Sequence, residues 1–167
     1  MTERQKFDLV KKIGPVEIRR YHPCVMADVV VNSEYKNAGN IGFRPLVTYI
    51  SQNKIAMTAP VVQEQNQAGS WVVSFVMPAH MQLSDLPLPK NSQVALREIH
   101  PHTAAVLSFS GMTSWHRVKE KESELRAVLE KEKIEPAGPM QIARFDPPWK
   151  PGFMRYNEIV QVVSGRL

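Results

Sequence analysis

Apolar and polar positions alternate along most of this chain, and only two stretches fall into a helical period. Residues 6–13 and 16–31 read as two strands around a Gly14–Pro15 turn, and Val25 to Val31 is rich in β-branched residues. Residues 32–40 are polar, with asparagines beside glycine, and read as a loop. Phe43, Leu46, Val47 and Ile50 then stand at i, i+3, i+4 and i+7, the pattern of one helix face. Asn40 is the natural cap, with Pro45 in the first turn, since a proline deeper in a helix removes a hydrogen bond. Lys54 to Val62 and Trp71 to Pro78 read as strands, with Gln63 to Ser70 as a hairpin loop. Residues 79–92, with Leu86 to Pro89 among them, form an irregular crossing. Val94 to Ser110 carries paired strand signals around His100–Pro101. Trp115, Val118, Leu125 and Leu129 mark a longer helix over about 114–133, capped by Thr113 or Ser114 and ending before Pro136 and Gly138. Glu122 and Arg126 are spaced to pair on its exposed side. Met140 to Phe145 and Tyr156 to Val163 supply the last two strands. The sum is about eight strands and two helices, and hairpins imply antiparallel pairing, so the class is α+β with a curved sheet or open barrel.

The pattern also repeats. Val16 to Val31 aligns on Val94 to Phe109 with an offset of 78 residues. Val16 falls on Val94, Arg19 on Arg97, His22 on His100, Pro23 on Pro101 and Ala27 on Ala105. The unit is too long for a solenoid and occurs only twice. The expectation is a single domain, 1–167, of two pseudo-symmetric halves at about 6–78 and 92–164 that share one core. Such a fold leaves a cleft between sheet and helices for a small molecule.

Composition narrows the function. A chain of 167 residues buries a core without staples, and a hydrophobic share of 43% is ordinary for a globular protein. The net charge is +5, but the basic residues are scattered and interleave with glutamates over 117–133. That reads as a solvated surface, so no nucleic-acid partner is expected. Cys24 is the sole cysteine, which excludes an intrachain disulfide and fits a reducing compartment. The opening MTERQKFDLV lacks the apolar core of a secretory signal, and no apolar run approaches the roughly 20 residues of a membrane span. A soluble, cytoplasmic protein without a membrane span is expected, its oligomeric state left open. Motifs of the GxSxG, HExxH and CxxC types and a phosphate-binding glycine loop are missing, so a binding protein is expected rather than an enzyme.

Three segments carry a family resemblance: KIAMTAPV at Lys54 to Val61, FVMP at Phe75 to Pro78 followed by LPLP at Leu86 to Pro89, and RFDPPWKP at Arg144 to Pro151 followed by Asn157–Glu158. With the opening FDLVKKIGPVEIRRY, they resemble the SOUL/haem-binding protein family over nearly the whole chain. The resemblance implies a distorted antiparallel β-barrel flanked by two helices and built from two similar halves. It also implies binding of haem or a related tetrapyrrole as ligand. Some members use an axial histidine in the strand matching IRRY; Arg20 stands at that position here, and His22 follows two residues on, on the same face of a regular strand. Others hold the porphyrin in an apolar groove beside the first helix, with basic groups near the propionates. Here Arg44 and Lys54 flank that helix, with Phe43, Val47, Tyr49 and Met57 as apolar lining, and Thr48 stands where members carry a basic residue. The family is also similar in fold to effector-binding domains that hold flat or cationic organic molecules.

Each candidate has a structural alternative. Imidazole is a usual haem ligand, yet His22–Pro23 is duplicated as His100–Pro101, as a turn or bulge of the fold would be. His80, His102 and His116 read as surface or packing residues, and Cys24 as a small buried hydrophobe rather than a thiolate ligand. Met57, Met77, Met112, Met140 and Met154 read mainly as core filling, with Met57 the best pocket candidate. Thr58, Pro60, Asp146, Pro147, Pro148 and Trp149 read as structural, and Asn157–Glu158 as satisfying backbone or cross-strand groups. A general binding module for flat or cationic ligands is the alternative function, with Glu17, Glu98 and Glu158 as candidate buried carboxylates. A small-molecule hydrolase using Glu158 or Tyr156 is the third.

Overall fold

A computed structural model describes residues 2–147 and 149–165. Its elements, in order, are β1 (Glu3–Arg4), β2 (Phe7–Ile13), β3 (Val16–Tyr21), β4 (Cys24–Val31), α1 (Tyr35–Gln52), β5 (Thr58–Ala59), β6 (Val61–Gln65) and β7 (Trp71–Val76). They continue through β8 (Val94–Ile99), β9 (His102–Ser110), α2 (Trp115–Lys131), β10 (Pro136–Arg144) and β11 (Tyr156–Val163), with 3-10 turns at Leu83–Asp85 and Gly152–Met154. Nine strands form one antiparallel sheet in the order β2-β3-β9-β11-β10-β6-β7-β4-β8, and β1 pairs with β5 alone. The class is therefore α+β, with a barrel-like sheet that stays open.

The expected strand over 16–31 is two strands. His22–Pro23 interrupts it, and β3 joins β2 and β9 near one end of the sheet while β4 joins β7 and β8 at the other. His100–Pro101 does the same between β8 and β9. Proline has no N–H to donate and cannot continue a ladder, so both runs turn there. Tyr21 pairs with His102 and Cys24 with Ile99, so the two bent runs travel side by side around the corner. Apart from β2, which has no counterpart beside β8, the pairing pattern is unchanged when the halves are exchanged: β3 meets β9 as β8 meets β4, β4 meets β7 as β9 meets β11, and β6 meets β7 as β10 meets β11.

The first helix begins earlier than its sequence suggests. Glu34, not Asn40, is the N-cap residue, and Pro45 lies inside the helix. Ala38, Gly42, Leu46, Tyr49 and Ile50 form its buried face. A Cβ on Gly42 would stand 2.6 Å from Cβ of Val73, so glycine lets α1 lie directly on β7. That packing outweighs both the polar first turns and the hydrogen bond lost at Pro45. The second helix follows the expected spacing, with Val118, Glu122, Leu125 and Leu129 buried and the Ser114 side chain accepting from the Arg117 N–H. Glu122 is on that buried face rather than the exposed one, and pairs with Arg126 at 2.8 Å and Lys119 at 3.2 Å.

Both helices end in the same way. In α1 the N–H groups of Lys54 and Ile55 donate to Ser51 and Ile50; in α2 those of Lys133 and Ile134 donate to Glu130 and Leu129. Lys54 and Lys133 have φ of 54° and 56°, the left-handed residue of a Schellman cap. Ile55 and Ile134 are buried behind them. The Lys-Ile pair of the KIAMTAPV segment is thus a helix stop as well as a motif.

The sheet has two faces. Val16, Ile18, Ala27, Val29, Val73, Phe75, Leu107, Ile142 and Ile159 point to α1 and α2 and form the main core. The opposite face carries two small apolar clusters, one of Tyr21, Ala104, Val106, Ala143 and Val160, the other of Met26, Val62 and Val76. Charged and polar side chains share that second face.

Candidate ligand site

A cleft of about 200 Å3 opens on the face turned away from the helices, lined by residues of both halves. Tyr21, Met26, Val62, Glu64, Arg97, His102, Gln141 and Glu158 contribute to it. A smaller hollow of about 70 Å3, lined by Arg4, Phe7, Arg19, Phe145 and Tyr156, shares Gln5, Tyr21, Pro60 and Glu158 with it. Strand alternation explains this set: Arg19 and Tyr21, Val62 and Glu64, and Glu158 and Val160 stand two residues apart on their strands.

Two arginines that align in the repeat, Arg19 and Arg97, organise the charge. Arg19 donates to both carboxylate oxygens of Glu158 at 3.0 and 2.9 Å, to Glu17 and to the Tyr21 hydroxyl. Arg19 and Glu158 are 5% and 3% exposed. Burial disfavours the Arg19 charge, yet the Glu158 hydrogen bond and the nearby anionic groups hold its pKa above the ordinary range. Tyr156 donates to Glu158 at 2.6 Å, so Arg19 and Tyr156 together engage both carboxylate oxygens. Burial pushes the Tyr21 phenol up to about 12.

Arg97 donates to Asp28 at 2.7 Å, while Glu64 stands 3.9 Å from it. Burial raises the Glu64 pKa; Arg97 opposes the shift and Asp28 adds to it. The face therefore carries Glu17, Asp28, Glu64 and Glu158 against Arg19, Arg97 and the Arg4 of the adjoining hollow, and Glu64, hydrogen-bonded to Gln141, stands 3.9 Å from Arg97. Sequence reading named Glu17, Glu98 and Glu158; Glu98 is exposed, and Glu64 was missed. Its signal was the alternation of Val62 and Glu64 in β6. His102, read as surface or packing, lines the cleft. Its ring stacks on Tyr21, with centroids 5.2 Å apart, and its Nδ1 donates to the His100 carbonyl at 2.9 Å.

The other candidates lie elsewhere. Phe43, Arg44 and Val47 are on α1, Phe43 and Arg44 on its exposed side and Val47 partly buried against the main core. Phe43 is 36% exposed with its ring edge-on to Phe75, and Met57, beyond the helix end, is 37% exposed. Arg44 is exposed and, among the described residues, makes no hydrogen bond or ion pair. Tyr49 is buried, its hydroxyl donating to the Pro87 carbonyl at 2.7 Å, which ties the Leu86–Pro89 segment to α1. His22 sits exposed at the β3–β4 corner, its Nε2 2.9 Å from Asp8. No hydrogen bond or ring contact joins it to the α1 group among the described residues.

The RFDPPWKP motif divides by role. Arg144 donates to Gln63, Tyr35 and Thr113, linking β10 to the starts of both helices. Asp146 accepts from Lys150 and from the Tyr156 N–H, and the Lys150 hydrogen bond lowers its pKa most. Trp149, expected to be structural, is 84% exposed, and Pro148 lies outside the described residues. Asn157 donates to the Gly111 carbonyl, as expected of a group that satisfies backbone. Thr58 likewise donates to the Val76 carbonyl.

The open α+β sheet with a cleft on one face and two helices on the other is an architecture suited to holding small molecules. A family model of the SOUL heme-binding protein matches residues 2–162, and the chain belongs to that family. Heme-binding protein 2 of Mus musculus is 29% identical over 137 residues, covering 75% of this chain and 66% of that protein. The chain thus spans about two thirds of the length of that relative. Among solved structures, the C-terminal domain of EcmrR is 10% identical and covers 89% of this chain and 96% of its own, with a TM-score of 0.63. A hydrolase from Listeria innocua is 12% identical, covers 89% and 91%, and has a TM-score of 0.61. SAV2435 bound to tetraphenylphosphonium is 9% identical, covers 90% and 94%, and has a TM-score of 0.55. These likenesses concern fold alone. Among the described residues, no helix is long and apolar enough to cross a membrane.

Proposed function

We propose that this protein binds haem or a related tetrapyrrole on the outer flank of α1, through apolar contact and pairing of ligand carboxylates with Arg44. Family membership supports the ligand class. The observation that carries the location is an exposed arginine without a partner among the described residues, next to the half-exposed Phe43. Phe43 and Val47 fall along one stripe of the helix, about 6 Å apart at 1.5 Å per residue, and Lys54 lies just beyond the helix end. The cleft fits a tetrapyrrole poorly. It is smaller than the roughly 300–1,000 Å3 of drug-sized pockets, and its surplus of carboxylates repels propionates. On the flank, Phe43, Val47 and Met57 would bear on the flat ring, and Arg44 and the Lys54 ammonium would orient it. Haem, when bound, supplies an iron open to axial ligation; the residues named here bind and orient.

A haemin titration followed by its Soret band tests this. Arg44→Glu should weaken binding roughly 10- to 100-fold, the worth of a charge-assisted hydrogen bond. His22→Ala should leave it unchanged. Binding indifferent to Arg44→Glu, or abolished by His22→Ala, defeats the proposal.

A second reading has its own observation. Glu64, half-buried in the cleft, hydrogen-bonded to Gln141 and 3.9 Å from Arg97, suits a small organic cation, and SAV2435, similar in fold, is a protein bound to tetraphenylphosphonium. Tetraphenylphosphonium should then bind this chain, and Glu64→Gln should weaken that binding without changing haemin affinity. Equal affinity of the variant for the cation removes the reading.

A further inference from the structure

The β10–β11 connection presents an apolar tip that the ligand reading does not use. Trp149 is 84% exposed, Phe153 82% and Met154 54%, and Met112, from the β9–α2 turn, is 58% exposed. Met112 packs on this loop: a Cβ on Gly152 would stand 2.6 Å from its sulfur. Single exposed hydrophobes are ordinary, but four converging on one turn are not.

From this we propose that the tip is a membrane-contact site, resting on the headgroup region of an anionic lipid surface. Three observations select that occupant. The described residues of the tip form an exposed turn rather than a groove, so it suits a deformable surface more than the socket that a protein partner would supply. Its residue types, Trp, Phe and Met flanked by Lys150 and Arg155, are those that settle at an apolar–aqueous boundary. Its net charge is positive, since Asp146 is paired with Lys150 and Arg155 adds a second basic group. Asp146 is the only carboxylate between Phe145 and Glu158, and it is turned back into the loop, accepting from Lys150 at 2.8 Å and from the Tyr156 N–H at 2.6 Å. The exposed tip therefore meets a lipid surface without a negative charge, on a chain of net charge +5. Arg155 donates to the Lys150 carbonyl at 2.8 Å, which closes the turn and holds the aromatic residues outward.

The test uses the full chain and sedimented vesicles, either phosphatidylcholine alone or phosphatidylcholine with about 30% phosphatidylserine. The protein should partition to the anionic vesicles, less to the neutral ones, and less again at high salt. The double variant Trp149→Ser/Phe153→Ser should lose partition roughly tenfold or more, since each buried aromatic is worth one to two powers of ten. Brominated lipid should quench tryptophan emission more strongly in the native chain than in Trp149→Phe, where Trp71 is buried and Trp115, 44% exposed, packs on Tyr35 and Trp71. An unchanged circular dichroism melt keeps the variants interpretable. No partition to anionic vesicles, or partition indifferent to the double variant, overturns the proposal. So does a concentration-dependent dimer that the double variant abolishes, which would make the tip a self-association surface.

Discussion

Removing the Arg19 charge should be the most damaging single polar change on the cleft face. Arg19→Met deletes both hydrogen bonds to Glu158, whose carboxylate is 3% exposed and then keeps only the Tyr156 hydroxyl. A buried charge stripped of its partner costs about 3–5 kcal/mol. The reverse change is milder. Glu158→Leu leaves Arg19 with Glu17 at 2.7 Å and the Tyr21 hydroxyl at 3.0 Å, so about 2 kcal/mol is expected. Changing both together removes the two charges and should cost less than Arg19→Met alone, a coupling of about 2–3 kcal/mol. Urea denaturation of the four proteins at neutral pH, followed by far-ultraviolet circular dichroism, measures this cycle. A loss below about 1 kcal/mol for Arg19→Met, or strict additivity of the two changes, would refute the claim that this pair is buried and mutually dependent.

Three further outcomes follow from particular geometries. Lys54→Gly and Lys133→Gly should each stabilise by up to about 1 kcal/mol in thermal melts, because glycine adopts the left-handed cap without strain, whereas valine at either position should destabilise. Gly42→Ala should cost about 1–3 kcal/mol, since its Cβ meets the Val73 Cβ, and Val73→Ala, which keeps that atom, should restore little of the loss. Glu64 has its pKa raised by burial, so its protonated form is favoured in the fold. Its relative stabilisation is present below the ordinary value of 4.5 and lost as pH rises through the folded value. Glu64→Gln should accordingly raise the melting temperature at neutral pH and make no difference at pH 4 and below.

The sequence by itself determined the features that local order can encode. Alternation marked most of the sheet, a period near 3.6 with Ser114 as cap marked α2, and the offset of 78 residues aligned Arg19 with Arg97 and the two His–Pro corners. Each is a statement about neighbours along the chain. Only the tertiary structure decided where α1 begins, because its first turns are polar and hold through the packing of Ala38 and Gly42 on the sheet. It also separated β3 from β4, since a strand run looks continuous until its partners are known, and these partners lie at opposite ends of the sheet. The cleft was out of reach for the same reason. Arg19 and Glu158 are 139 positions apart, and Glu64 faces Arg97 across the sheet. Periodicity can say that a charged side chain stands on one face of a strand. Which charge it meets there is set by strand order, and strand order is a property of the folded sheet.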